Sequence, residues 1–373
     1  MKISINRSDL LRSLNHVHSV VERRNTIPIL ANVLLRTEEN SLSLSTTDME
    51  LEIIESVAAT VHEPGETTVP AHTLYDIVRK IEDDGIVEIN LPAGDNIMTI
   101  TAARSTFRLG CLPTEDFPHI GGEEDLPYQL SIPAGDLRLL IDRTRFAISN
   151  EETRYYLNGI YLHPAETDGV KVLRAVATDG HRLAQFEMPL PEGSEEMPGI
   201  IIPRKAINEI RKLIDEAGDA INLSLSDTKL RISFDHIMMT TKLIDGTFPD
   251  YQRVIPQGND KVLEVDPKAF ARAVDRVSTI ATEKSRAVKM TLGGKTMTLS
   301  ANSPENGSAT EEIEVSFEEG PMEIGFNSAY LMDVAKQIDG EGCRLTLADP
   351  ASPTIIQDTS DNSSLYVLMP MRV

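Results

Sequence analysis

The residues of this 373-residue chain best suited to chemistry are Thr178-Asp179-Gly180-His181-Arg182-Leu183. An Asp two residues before a His can act as a base and its orienting partner, or as two metal ligands. Asp-Gly equally marks a tight turn, whose His would pack against a neighbour. Glu151–Glu152 reads as a solvated pair, because no acid/base partner accompanies it at a defined spacing. Cys111 and Cys343 lie far apart without a CxxC or CxxH pattern, so they read as small buried hydrophobes. Phosphate-binding glycine loops, HExxH, GxSxG and EF-hand patterns do not occur. No metal or cofactor is expected. The carboxy terminus, YVLMPMRV at 366–373, is apolar where chain ends are usually frayed and polar, so it is expected to be docked. It is either the last strand of a sheet or, through its methionines, an adaptable wall for peptide ligands.

The elements that must position these residues recur three times. KISINRSDLLRSLNHVHSVV from Lys2, QLSIPAGDLRLLIDRTRFAIS from Gln129 and VLEVDPKAFARAVDRVSTIA from Val262 each pass from an alternating strand into an amphipathic helix. Apolar positions align as Leu10/Leu137/Phe270, Leu14/Ile141/Val274 and Val17/Thr144/Val277, one helix face with a single polar exception. Asp266–Pro267 is a helix-start signature. A second unit follows each: TTVPAHTLYDIVRKI, GIIIPRKAINEIRKLI and MEIGFNSAYLMDVAKQI, with the spine Leu74/Ile207/Leu331, Ile77/Ile210/Val334 and Ile81/Ile214/Ile338. Hairpin-like runs lie between, one turning at Gly293–Gly294. The exits also match, CLPTEDFPHI against KLIDGTFPDYQRVI. These features imply three α+β copies of about 124 residues, each of two strand–helix–sheet halves, with linkers near 121–127 and 250–260. Repetition of this kind suits a scaffold or binding surface better than an enzyme.

The net charge of −22 argues at first against nucleic acid, whose backbone repels anions. Its distribution argues otherwise. Helix windows 7–24, 71–81, 134–149, 204–214, 267–281 and 327–338 hold 17 Lys and Arg against 8 Asp and Glu, leaving −31 on the rest of the chain. Extending three windows to Asp84, Glu216 and Asp339 reduces the helical +9 to +3 without removing the contrast. With one face buried, these cations should emerge on the other. That face is either merely solvated or, on a concave surface, attractive to phosphate. No apolar run approaches a membrane span, and the polar amino terminus does not resemble a secretory signal, so a cytoplasmic protein is expected.

TIPILANVLL at 26–35, RYYLNG at 154–159, ATDGHRLA at 177–184, FPDYQRVIP at 248–256 and YVLMPMRV at 366–373 carry a likeness over the whole length. In this order and spacing the chain resembles the bacterial beta sliding clamp family, the beta subunit of DNA polymerase III. The resemblance implies three clamp domains (1–125, 126–252 and 253–373) and a head-to-tail homodimeric ring, helices inside and sheets outside. Twelve helices of ~10 Å diameter would enclose a bore of roughly 28 Å, enough for duplex DNA. It implies no catalysis. The family tethers the replicative polymerase alpha subunit to DNA after an ATP-dependent clamp loader opens the ring. Other polymerases, ligase and mismatch-repair proteins would dock through short peptide motifs. The alternative is a cytosolic enzyme using Asp179 and His181.

Carried over by position, the peptide cleft between the second and third domains would comprise Arg154, Tyr156, Leu157, Thr178, Gly180, His181, Arg182, Leu183, Pro249, Val254, Val367, Met369, Pro370, Met371 and Arg372, with Asn327 and Tyr330 at its rim. An apolar anchor would fill it while arginines held the polar flank. Ala351 and Pro353 depart from the family at that rim. DNA-facing positions resemble Arg24, Arg79, Arg204, Lys205, Lys212 and Arg253, whereas His72 and Glu151 depart. For the dimer interface, Phe107 and Leu109 would meet the partner's Thr279 and Ile280, with Arg104 facing Glu305 and Glu311. Thr73, Gly307 and Thr310 replace charged family positions there.

Overall fold

The computed structural model describes residues 1–82, 85–122, 126–281 and 286–373. Asp84, and with it part of the 121–127 linker and the 125/126 boundary, lies outside the described residues. Six α-helices form where the apolar spacing requires them: α1 (Arg7–Val17), α2 (Ala71–Lys80), α3 (Ala134–Thr144), α4 (Arg204–Ile214), α5 (Pro267–Ser278) and α6 (Ser328–Ala335). The spine residues of α1, α3 and α5 are all buried. Thr144, the polar exception, donates its hydroxyl to Leu140 O at 2.7 Å and so enters the core satisfied. In α2 the stripe turns by one residue: Val78 is buried, and Ile77 and Ile81 are only half-buried. Asn6, Asp266 and Asn327 cap α1, α5 and α6 by accepting backbone N–H groups of the first turn.

Five helices end short of their sequence windows. Each α-helix is followed by a tighter or extended segment, as at His18–Val20, so Arg23 and Arg24 fall outside α1. The helices proper carry thirteen Lys and Arg against seven Asp and Glu, +6 rather than +9. Nor do all the cations emerge. Arg7 is buried and donates to Val78 O (3.0 Å) and Arg79 O (2.9 Å), satisfying carbonyls at the end of α2. Buried Arg143 does the same for Gln337 O beyond α6, and pairs with Asp339.

The chain packs as two compact units, which do not coincide with the sequence copies. One comprises Met1–Leu137, Pro191–Pro198 and Lys205–Leu243, the other Arg138–Leu190, Gly199–Arg204 and Ile244–Val373. The first holds a five-stranded and an eight-stranded sheet, the second a nine-stranded and a four-stranded one. The larger sheets each join strands of successive copies. Ile237–Lys242 pairs antiparallel with Leu51–Ala58, and Ser364–Leu368 with Arg182–Pro189. Both seams continue in the same backbone bond: Lys242 N–H to Glu50 O and Met369 N–H to His181 O, each 2.9 Å. Strands with one buried face alternate as expected, for example Ile97–Ala102.

Within the first unit α1 makes a buried ionic contact. His16 is 7% exposed, with Nδ1 2.7 Å from the buried Glu55 carboxylate and Nε2 3.0 Å from Glu216. Ser13 donates to the other Glu55 oxygen at 2.7 Å. Burial alone would lower the histidine pKa, but the two carboxylates outweigh it and raise it above 6.5. A raised folded-state pKa contributes stability that is complete below 6.5 and is lost as pH climbs through the folded value. His16→Gln is therefore expected to lower the thermal unfolding midpoint most below pH 6.5, by about 1–3 kcal/mol of stability. The difference from the parent should shrink as pH rises; a difference independent of pH would refute the ionic contact.

Candidate functional site

The Asp-Gly turn joins the strands Val170–Thr178 and Arg182–Pro189 of the second unit. Gly180 sits at φ +87°. Asp179 Oδ1 accepts the N–H groups of His181 (2.9 Å) and Arg182 (3.0 Å), and Oδ2 accepts Arg182 Nε (3.1 Å). Thr178 Oγ1 donates to Arg182 O at 2.7 Å. Both Asp179 oxygens are thus engaged in holding the turn. The His181 ring is exposed, its centroid 6.4 Å from that of Tyr330. Among the described residues no His, Cys, Asp or Glu group could hold a metal ion. The arrangement corrects the enzymatic alternative: Asp179 makes a turn and does not orient His181.

The strand that leaves this turn enters an apolar cluster in which Leu157, Val176, Leu183, Ile201, Phe248, Tyr251 and Val367 are buried together. Pro249, Val254 and Met369, each within three residues of a cluster member in sequence, are exposed, as is Tyr155, two residues before Leu157. Tyr251 is buried and opens the 3-10 turn Tyr251–Val254, so the expected linker at 250–260 begins as part of the core. Val367 belongs to the last strand, and the tail beyond it docks. Met371 N–H donates to Gly325 O at 2.8 Å, and a Cβ on Gly325 would stand 2.3 Å from Val373 Cγ1. Beside the tail runs a groove of about 600 Å³ lined by Glu323, Gly325, Pro350, Ala351, Pro370 and Arg372 among others. Pro353 contributes its carbonyl to Asn259 Nδ2 at 2.9 Å.

The arginines do not form a free polar flank. Arg182 pairs with Asp333 (2.6 Å) and donates to Phe146 O (2.6 Å), its guanidinium 4.3 Å from the Tyr330 ring centroid. Arg154 holds Glu151 through two hydrogen bonds (2.8 and 2.6 Å) and donates to Asp179 O (3.1 Å). The Arg154 hydrogen bonds hold the Glu151 carboxyl below its usual range, so Glu151 is an ion-pair partner and not a bare solvated acid. Asn327 serves as the α6 cap. Gly180 is doubly constrained: a Cβ there would lie 2.5 Å from Arg154 Nη1. Gly180→Ala is expected to cost about 1–3 kcal/mol and to displace Arg154, read as a lowered unfolding midpoint. An unchanged midpoint would count against the strain.

The six DNA-facing candidates divide by environment. Arg24 is exposed, Arg253 is exposed beside Asp250 (2.7 Å), and Arg79 is exposed over the Tyr75 ring with Asp76 at 3.1 Å. Lys212 bonds Glu209 at 2.8 Å with over half its side chain exposed. Lys205 is instead held by Asp48 and by Val20 O, and half-buried Arg204 donates to Ser149 O, burial pushing its pKa down. These two anchor the fold in the first and second unit respectively. His72 bonds Val21 O at 2.7 Å.

Two strand edges remain. Ser105–Gly110 closes one side of the five-stranded sheet, with Phe107 and Leu109 half-buried and Arg104 and Arg108 exposed. Gly307–Glu314 closes one side of the four-stranded sheet, with Glu312 and Glu314 exposed and Glu305 just before it. Thr279 is exposed and Ile280 half-buried after α5. Glu311 does not stand free for Arg104: Arg276 of α5 grips it through Nε (2.9 Å) and Nη2 and holds its pKa down. Arg108, Glu312 and Glu314 escaped the sequence reading, although strict alternation along each strand marks them.

Comparison with known proteins places the whole chain. Family models described as the N-terminal, central and C-terminal domains of DNA polymerase III beta subunit match residues 1–121, 131–250 and 252–372. The beta sliding clamp of Caulobacter vibrioides NA1000 is 51% identical over 373 residues, all of both chains. That of Escherichia coli K12 is 36% identical over 374 residues, again covering both fully. Among solved structures, a sliding clamp from Bartonella birtlesii bound to griselimycin superposes with TM-score 0.96 at 47% identity, each chain covered completely. A C. crescentus beta sliding clamp gives TM-score 0.96 at 50% identity, covering 100% of this chain and 99% of that one. With its three tandem domains, its helices and its sheets matched from end to end, the chain belongs to the DNA polymerase III beta subunit, or beta sliding clamp, family.

Proposed function

We propose that two copies of this chain close head to tail into a ring around duplex DNA and tether the replicative polymerase to it without catalysis. The observation that carries this reading is the strand count. The complete sheets have eight and nine strands, whereas the remaining two have five and four, together nine. Joining the edge Ser105–Gly110 of one copy to Gly307–Glu314 of another would complete a sheet of the size found elsewhere, basic edge against acidic edge. Phe107, Leu109, Thr279 and Ile280 supply the apolar part of that contact. The domains are 1–125, 126–252 and 253–373, and the protein acts in the cytoplasm.

The surface over the Leu183 and Val367 cluster receives an apolar anchor from the polymerase alpha subunit, the ATP-dependent loader, and other polymerases, ligase and mismatch-repair proteins. Of the six candidates, Arg24, Arg79, Lys212 and Arg253 are exposed enough to meet DNA, whereas Lys205 and Arg204 hold backbone carbonyls. Cations already paired with carboxylates, as three of these four are, give weak, salt-sensitive contact, which suits sliding. Once loaded, the protein should persist on nicked circular DNA and leave within seconds to minutes when the circle is cut. Equal retention on both forms, followed by gel filtration, would exclude topological linkage.

A further inference from the structure

Against this apolar cluster, in the second unit, lies a buried polar network that shares Tyr251 with it. Arg174 is only 6% exposed. Its Nε donates to Glu187 Oε1 (2.6 Å), its Nη2 to Thr167 Oγ1 (2.7 Å) and its Nη1 to the Tyr251 hydroxyl (2.9 Å). Glu187 also accepts from Thr167 and Gln185. His163 Nε2 is 3.0 Å from the same Tyr251 hydroxyl, and its Nδ1 is 2.8 Å from Pro164 O. A carbonyl can only accept, so Nδ1 carries the proton and Nε2 accepts from Tyr251. The hydroxyl therefore receives from arginine and gives to histidine, which fixes it in position. Tyr161 stacks on His163 at 4.6 Å and on Phe248 at 4.8 Å, extending the same brace to the apolar cluster.

Tyr251, two residues after the exposed Pro249, opens the turn that ends at Val254, which is 53% exposed. Burying a guanidinium is a costly way to fill space, and an apolar side chain would pack the same site at lower cost. We propose that Arg174, acting through the Tyr251 hydroxyl, is a positioning residue of the peptide cleft, setting the Pro249–Val254 wall at the spacing a partner's apolar anchor requires. The inference rests on the reading of the surface over this cluster as a peptide site. A fixed wall improves affinity because the ordering cost is met before the ligand arrives.

The test uses the full-length dimer and a fluorescein-labelled peptide of the polymerase alpha subunit's tail, made with its apolar anchor and with alanine in its place. Tyr251→Phe removes one oxygen and keeps the ring; Arg174→Met removes the brace. Both are expected to weaken the anchored peptide about tenfold and to change the alanine peptide less than twofold, at a temperature well below either midpoint. Unchanged affinity for the anchored peptide in folded Tyr251→Phe protein, or equal losses for both peptides, would reduce Arg174 to a purely structural role. Failure of the parent protein to bind the anchored peptide would instead overturn the peptide-site reading.

Discussion

Deletion of Met369–Val373 is expected to lower affinity for the replicative polymerase alpha subunit at least 100-fold while the protein stays folded. The strand Ser364–Leu368 ends before the deletion, and its Val367 and Leu368 are buried against neighbouring strands. What is lost inside the molecule is small: the amide bonds from Met369 to His181 and from Met371 to Gly325, each worth about 1 kcal/mol net. What is lost to a ligand is larger. In the proposed function Met369, Pro370 and Met371 meet the ligand, and truncating well-packed interface anchors costs about 2 kcal/mol or more apiece. Two such losses exceed the roughly 2.7 kcal/mol of a 100-fold change. Surface plasmon resonance with the truncated dimer, beside its melting curve, separates the two effects. Full binding by the truncated protein would put the partner site elsewhere.

Replacing Phe107 and Leu109 with aspartate should convert an assembly of about 82 kDa into the 41.1 kDa chain. An edge strand presents unpaired N–H and C=O groups, and natural proteins cover or charge such edges. Here Arg104 precedes and Arg108 lies on Ser105–Gly110, and Gly307–Glu314 carries Glu312 and Glu314, so each edge repels its own kind and attracts the other. Two carboxylates added beside the acidic edge introduce both repulsion and an unpaired desolvated charge. The parent interface should also loosen as salt rises from 0.1 to 1 M, because the Debye length falls from about 10 to 3 Å. Light scattering at micromolar concentration reads both effects. A double variant still at the dimer mass would place the interface away from these strands, and its loss of retention on circular DNA would then need another cause.

Periodicity is a local property, and what depends on it was legible before any coordinates. Helix existence follows from i, i+4, i+7 spacing, and α4 even keeps its expected bounds. Asp266 and Pro267 act as a helix start because capping involves only neighbouring residues. Helix ends were overestimated where apolar spacing outlasts helical geometry, as between Val17 and Val20. The motif around Asp179 was ambiguous for a related reason. A carboxylate that orients an imidazole and one that accepts two backbone amides use the same letters, and only the direction of its oxygens separates them.

The −22 charge belongs to the same division. Its segregation by element could be counted from the sequence, and that count kept DNA within reach of an acidic protein. Which cations remain free could not. Arg7, Arg143, Arg204 and Lys205 reach backbone carbonyls, and Arg182, Arg154 and Arg276 reach carboxylates. Most of these partners are distant in sequence, so a side chain's remaining hydrogen-bonding capacity is decided only when the chain folds. By itself the sequence determined the triplicate design, the apolar spines and the family. Tertiary structure decided which charges stay available, which turn is merely a turn, and where two sheets stop one neighbour short.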